Sequence, residues 1–261
     1  MDRSLHLVDA LVAAGREDFT FEDARTALGV PAPATAKVLR RLREQGLIDR
    51  LGRGHYAIRP LGLLGTSATA DDLPLAVAAA FDGREHRIAY LSALGELGLL
   101  VHPVRTVTVA CTGQVRRAYL STRPLRVVIE RPSTIRLGAE PVGRSSRSSL
   151  ERAVFECALR VDLAGGPETL ASALARAAPM LRPRQLAPLV SAFGARGAAA
   201  KRRLASLAHA LELPIELESE VSSARPVIRL DPKDDRVEWV DEAMRVAWST
   251  SVEELRAVIE N

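Results

Sequence analysis

The stretch 36–58, AKVLRRLREQGLIDRLGRGHYAI, constrains the chain more tightly than any other. Its first half has helical spacing. Val38, Leu39 and Leu42, with Thr35 just upstream, fall on one face, and Lys37, Arg40, Arg41 and Arg43 fall outward. Gly46 then stops the helix. Beyond it the period changes: LIDRL alternates as a strand, Gly-Arg-Gly turns, and HYAI returns as its partner. A helix that runs into a hairpin with a cationic tip needs apolar elements before it to cover its buried face.

The preceding residues supply them. Leu5, Val8, Leu11 and Val12 predict one face of a helix over Ser4–Ala14, ended by Gly15. Thr20 is placed to cap a second helix, Phe21–Leu28, with Glu22 and Asp23 in its first turn and Gly29 closing it. Pro31 and Pro33 suit a turn and the opening of a third helix, Ala34–Gln45. Three helices followed by a two-stranded hairpin is the order of a winged helix-turn-helix, with the third helix reading and the Arg-Gly-Arg-Gly tip as the wing. In such a module helix side chains reach base edges, while wing arginines meet phosphate or enter the minor groove. The candidate DNA contacts are Thr35, Lys37, Arg40, Arg41, Arg50, Arg53 and His55, with Thr35 equally suited to a wholly structural role. Winged helices also serve as protein-binding modules, and a cationic helix face also exists simply to be solvated.

Charge is segmental. The net +4 conceals −3 over residues 1–30, +5 over 33–59, +7 over 84–160 and −6 over 214–261. Blocks separated this way point to parts of the molecule that face polyanions. Because 33 of the 36 cations are arginine, placement carries more weight than abundance. No apolar run approaches the roughly 20 residues of a bilayer span. The opening MDRSLHLVDALVAAGRED reads as no secretory signal, so a cytoplasmic location is expected. Cys111 and Cys157, 46 positions apart, are expected to be free, semi-buried thiols.

The chain divides into a winged helix-turn-helix at 1–62, a connector at 63–83 around a Gly-, Pro-, Ser- and Thr-rich run, and a second domain at 84–261. In the second domain HRIAYLSALGELGLL (86–100) predicts a helix, VRTVTVACT and LRVVIER predict strands, and QVRRAYL predicts a hairpin partner. GAEPVGRSSRSS (138–149) predicts a loop, and Ser149 caps LERAVFECALRVDL. Helices are expected near 167–178, 183–193 and 197–211, then strands in PVIRLD, RVEWVDE and MRVAWS, and a last helix in SVEELRAVIE. The fold class is therefore α+β: an amino-terminal winged helix followed by a mixed α/β domain.

No constellation for catalysis emerges. There is no phosphate-cradling Gly-Lys-Ser/Thr loop and no Gly-x-Ser-x-Gly elbow. His6, His55, His86, His102 and His209 are scattered without ligand spacing, and DPKDDR (231–236) reads as an Asp-Pro turn. No enzyme, cofactor or metal is expected. In the +7 region, Arg116, Arg117, Arg123, Arg126, Arg131 and Arg136 lie on or near strands. They suit DNA, RNA or an acidic partner as well as plain solvation. Lys201, Arg202 and Arg203 are expected in the first turn of a helix, where the dipole disfavours cations and a counter-anion would relieve it. The acidic carboxy-terminal block is equally suited to pairing with the basic middle of the same molecule.

Taken in order, GRGHYAIRPLG, YLSALGELGL, SSLERAVFECAL and GARGAAAKRRLASLAHALEL resemble the AbiEi family over nearly the whole chain. These are the antitoxins of type IV toxin–antitoxin systems, and the closest in character are the actinobacterial members of the MenA type. Where many members carry a small polar residue or histidine before Gly-Leu, this chain has Glu96–Leu97. The resemblance implies a repressor of its own operon that binds inverted repeats in promoter DNA, and a carboxy-terminal domain that counters a cognate nucleotidyltransferase toxin directly or indirectly. It also implies that removing residues 1–62 abolishes operator binding and spares neutralisation. A stand-alone winged-helix regulator with a ligand-sensing or oligomerisation domain is the alternative.

Overall fold

The computed structural model describes residues 3–59, 72–120, 123–217, 221–222 and 224–260, and the side chains of all of these except 3–5 and 260. They fall into two units. The first comprises residues 1–83, 117–124 and 143–145, and the second comprises the rest. Of the expected connector, 63–71 lies outside the described residues; 72–83 belongs to the first unit and carries the short helix that LPLAVAAAFDG suggests.

In the first unit α1 (Arg3–Ala13), β1 (Asp18–Thr20), α2 (Phe21–Leu28), α3 (Ala32–Glu44), β2 (Ile48–Gly52), β3 (His55–Ile58) and α4 (Leu73–Ala80) follow in order. Thr20 caps α2 reciprocally: its hydroxyl accepts from the Asp23 N–H at 3.0 Å, and the Asp23 carboxylate accepts from the Thr20 N–H at 2.8 Å. Leu7, Leu11, Phe19, Ala24, Leu39, Leu42 and Ile48 form the core of this helical bundle and hairpin. The buried face of α1 is Leu7 and Leu11 with Val8 beside them, and Val12 is 58% exposed. Leu11 and Val8 thus lie on the expected face, the Leu5 side chain lies outside the described residues, and Val12 alone is corrected, because packing against α2 and α3 selects the rotation.

The wing is a sheet of three strands in the order β1-β3-β2, not a two-stranded hairpin. β1 pairs antiparallel with β3, which sets Phe19 opposite Tyr56 with their rings stacked 5.6 Å apart. The segments that return to this unit bring β6 (Tyr119–Leu120), which α4 contacts, and Arg144, which pairs with Asp18.

The second unit contains β4 (His86–Ile88), α5 (Tyr90–Glu96), β5 (Val107–Cys111), most of β7 (Arg123–Ile129), α6 (Pro132–Ile135) and β8 (Ala139–Val142). Most of β9 (Ser145–Ser148) comes next, then α7 (Leu150–Leu159), α8 (Pro167–Ala177) and α9 (Leu186–Ala210). β10 (Ile228–Arg229), β11 (Trp239–Asp241), β12 (Val246–Trp248) and α10 (Val252–Glu260) close the chain. Its main strands lie in the order β7-β5-β4-β9-β8, with β5 parallel to β7 and β4 antiparallel to β5. A small sheet, β10-β12-β11, sets Trp239 beside Trp248, with ring centroids 4.7 Å apart and planes tilted by 38°. Buried α7 packs against α5, α8 and α9. Both cysteines are buried and free.

Three expectations are corrected here. Residues 86–100 are a strand and then a shorter helix, because His86–Ile88 are claimed by the sheet. QVRRAYL contributes only Tyr119 and Leu120 to a pairing with Arg123 and Pro124. The expected loop at 138–149 forms β8 and β9, since the serines face inward: the Ser148 hydroxyl donates to Glu156 at 2.8 Å, and the Ser146 hydroxyl donates to the His86 carbonyl at 2.6 Å.

At the centre of the second unit lies a closed set of charges. Glu156, fully buried, accepts from Arg152 Nε at 2.8 Å, from Arg87, from the Ser148 hydroxyl, and from the Tyr90 N–H at 3.1 Å. Glu130 accepts from Arg87 at 2.9 Å and from Arg152 at 3.0 Å. Arg152 also lies with its guanidinium carbon 4.8 Å from the Phe193 ring centroid, and its Nη1 lacks a hydrogen-bond partner among the described residues. Two cations meet two anions, so the set is neutral, and nearly every donor is used. The Tyr90 amide held by Glu156 is where the chain turns from β4 into α5, with a positive φ of 54° that costs a non-glycine residue about 1–2 kcal/mol.

The long helix α9 breaks at Gly194, where φ is 54° and ψ −130°, so the two helices expected at 183–193 and 197–211 meet across a kink. The break folds Gly197 onto the preceding turn: a Cβ there would sit 2.3 Å from the Val190 carbonyl oxygen. Gly197→Ala is therefore expected to destabilise the protein by about 1–3 kcal/mol, by overpacking against backbone that has no rotamer to yield. A lowered denaturant midpoint with unchanged slope would record it.

Candidate nucleic-acid interface

The outward face of α3 follows from its periodicity. Thr35, Leu39 and Leu42 are buried with Val38 half-buried beside them, which leaves Lys37, Arg40, Arg41 and Arg43 exposed. Glu44 shares that face and lies 3.6 Å from Arg40, but both side chains are about 70% exposed, so the pair is worth little. The wing stands beside the start of α2. The Phe21 N–H donates to the Gly54 carbonyl at 2.7 Å, which fixes the turn that carries Arg53. Gly54 has φ +76°, the left-handed geometry this tight turn requires of its second residue. Arg53 is exposed at the tip, and Arg50 is exposed on β2 with its Nε donating to the Gly52 carbonyl at 3.1 Å.

Of the candidate contacts, Lys37, Arg40 and Arg41 thus share one helix face, and Arg50 and Arg53 share the wing. His55 is half-buried at the first position of β3, paired to Thr20 and Gly52. Thr35 is corrected: it is 0% exposed, and its hydroxyl donates back to the Pro31 carbonyl at 3.3 Å. Its apolar neighbours pull it inward. Thr35→Val should cost about 0.5–1.5 kcal/mol of stability and leave the salt dependence of DNA binding unchanged, as melting and retention titrations on one preparation would show. Arg59, at the base of the wing, is also structural, since it clamps Asp49 through two bonds of 3.0 and 2.8 Å with both side chains nearly buried.

The residues of the second candidate surface are divided between the two units. Arg117 belongs to the first unit, where its Nη1 lies 3.1 Å from the position a Cβ would take on Gly52. No local sequence pattern links it to the wing, because 65 positions separate it from Gly52. Arg123 is also in the first unit, half-buried, whereas Arg116 and Arg126 are exposed in the second.

Arg202 and Arg203 are corrected. They lie in the middle of α9, not its first turn, and are buried. Arg202 donates to the carbonyls of Met244 at 2.8 Å, Pro226 at 3.1 Å and Arg245 at 2.5 Å. Arg203 donates to the carbonyls of Arg229 at 2.8 Å and Ala158 at 3.0 Å. Burial pulls the Arg203 guanidinium down to about 10, still charged at neutral pH. Both arginines satisfy backbone around the small sheet, which removes them from any polyanion surface, while Lys201 remains half-exposed.

Among the described residues no group of three or more His, Cys, Asp or Glu side chains is placed to hold a metal ion. The DPKDDR segment turns as expected, with the Lys233 N–H donating to the Asp231 carboxylate at 2.9 Å. No described helix is long and apolar enough to cross a membrane.

The crystal structure of the RV2827C protein from Mycobacterium tuberculosis superposes with a TM-score of 0.69 at 20% sequence identity, over 100% of this chain and 96% of that one. At that identity the likeness shows the fold. Among curated proteins none matches the sequence. A family profile, AbiEi_4, described as "Transcriptional regulator, AbiEi antitoxin", matches residues 6–59, the span from α1 through the wing. Over residues 6–59 the winged helix-turn-helix is therefore similar to a family described as transcriptional regulators and AbiEi antitoxins.

Proposed function

We propose that this chain binds promoter duplex DNA upstream of its own operon, represses it, and acts as the antitoxin of a type IV system against a nucleotidyltransferase toxin. The observation that carries the DNA-binding part is the joint exposure of Lys37, Arg40 and Arg41 on α3 and of Arg50 and Arg53 on the wing, within the module that matches a regulator family. Helix cations placed opposite the core suit a major groove, and a wing arginine held on a braced turn suits the neighbouring phosphates or minor groove. Inverted repeats are the expected operator, bound by two copies. The antitoxin part rests on the family match and on the resemblance of the remaining motifs.

Two measurements test the two parts separately. Retention of the full chain on its own upstream DNA should weaken steeply with salt and exceed retention on scrambled duplex. Expression of a neighbouring nucleotidyltransferase gene alone should arrest growth, and co-expression of this protein should restore it. Salt-insensitive retention would remove the first part, and a harmless neighbour would remove the second.

A further inference from the structure

The second unit contains a cavity of about 850 Å³ that neither the DNA-binding face nor the buried charge set uses. That volume lies within the ~300–1,000 Å³ range of small-molecule sites. β5 and β7 supply Thr108 and Arg126 to its lining, and residues 100–106, the start of α8 and the end of α10 supply most of the rest. Much of this lining is apolar, including Leu91, Leu100, Val104, Leu163 and Val258. Val101 and Val258 remain 50% and 40% exposed, apolar surface that an occupant would cover.

Its polar groups are unequally used. Thr108 is only 4% exposed. Its backbone is fully engaged: the N–H donates to the Ser92 hydroxyl at 2.8 Å, and the carbonyl accepts from the Ala89 N–H at 3.0 Å. Its hydroxyl has no partner among the described residues. Strand register sets Thr108 directly beside Arg126, so hydroxyl and guanidinium share one face of the sheet. Arg126 and Arg105, both exposed, form no ion pair or hydrogen bond with any described residue.

The acids nearby do not neutralise them. Asp162 is held by Arg160 through two bonds of 2.8 Å and by Lys233 at 3.3 Å; the Arg160 bonds chiefly keep its carboxyl down at about 2. Glu168 sits in the first turn of α8, where the helix dipole favours it, and His102 is exposed. Two unspent guanidiniums and an unpartnered threonine hydroxyl beside an apolar wall call for a ligand that is anionic at one end and apolar along its length.

We infer that this cavity binds a small amphipathic oxyanion, a carboxylate or a phosphate monoester, with its head between Thr108, Arg126 and Arg105 and its body along Leu100 and Val258. The site goes beyond the DNA-binding function and does not depend on it. Calorimetric titration of the full chain with octyl phosphate and with octanoate tests it, with inorganic phosphate and octanol as truncated probes. At least one of the two anions should bind saturably and more tightly than either truncated probe, and the better of the two identifies the head. Arg126→Gln should weaken that binding by about tenfold or more, and Thr108→Val by about two- to tenfold. DNA retention, measured on the same preparations, reports separately on the amino-terminal module. Failure of both anions to saturate, octanol binding as tightly as the anions, inorganic phosphate binding as tightly as octyl phosphate, or wild-type affinity in Arg126→Gln would each overturn the assignment.

Discussion

Glu156→Gln should lower the unfolding free energy by about 3–5 kcal/mol, the largest stability change expected of a single substitution in this chain. The buried carboxylate balances Arg87 and Arg152 together with Glu130 and receives the Tyr90 amide, so its amide replacement leaves two buried guanidiniums facing a single carboxylate. Burial alone would push the Glu156 carboxyl up; Arg87 and Arg152, with the hydrogen bonds from Arg152 and the Tyr90 N–H, outweigh it and hold the group below its ordinary value of 4.5. Its contribution is accordingly intact above about pH 4.5 and is lost as the pH falls through the lower folded value. Urea unfolding monitored at neutral pH and again near pH 3 should show the variant and wild type converging in acid. A variant within about 1 kcal/mol of wild type at neutral pH would mean that the network is not the keystone its geometry suggests.

The combined substitution Lys37→Ala, Arg40→Ala, Arg41→Ala and Arg53→Ala should leave the fold intact and flatten the salt dependence of DNA retention by about three to four units of slope. Each side chain points away from the core, so near-wild-type melting is expected. The loss should extend across unrelated duplexes, since phosphate contacts carry little sequence information, with an added loss of preference for the operator where an α3 side chain reads a base edge. An unchanged slope would place the polyanion surface elsewhere or remove it.

The contrast between these two regions reflects what a sequence can display. In the winged helix the signals are local. Thr20 with Asp23, Gly29, the Pro31–Pro33 pair and Gly54 each act within a few residues, and the outward cations of α3 follow from a single helical period. β1 escaped because three residues are too few to show an alternation, and Thr20 serves as strand end and helix cap at once. The charge set of the second unit has almost no local trace. Arg87 reaches Glu130 and Glu156 across 43 and 69 positions, and each residue alone resembles an ordinary surface charge. Arg202 and Arg203 mislead for the same reason: a Lys-Arg-Arg run resembles a cationic patch until carbonyls 24 to 45 positions away claim it. The serines of β9 look like a loop because their partners are equally hard to foresee, with the His86 carbonyl 60 positions from Ser146.

The first unit is assembled from three separate stretches, the last of them residues 143–145, with Leu120 buried and Arg144 bound to Asp18. During synthesis, at about 5–20 residues per second, the complete form of this module cannot exist until roughly 7–30 seconds after its first residue leaves the ribosome. A shortened product that stops after the wing would carry α3 and its cations but would lack those late-arriving pieces. Cutting the chain at residue 62 is for the same reason not a neutral excision, since it strips Leu120 and Arg144 of the surroundings they were built for.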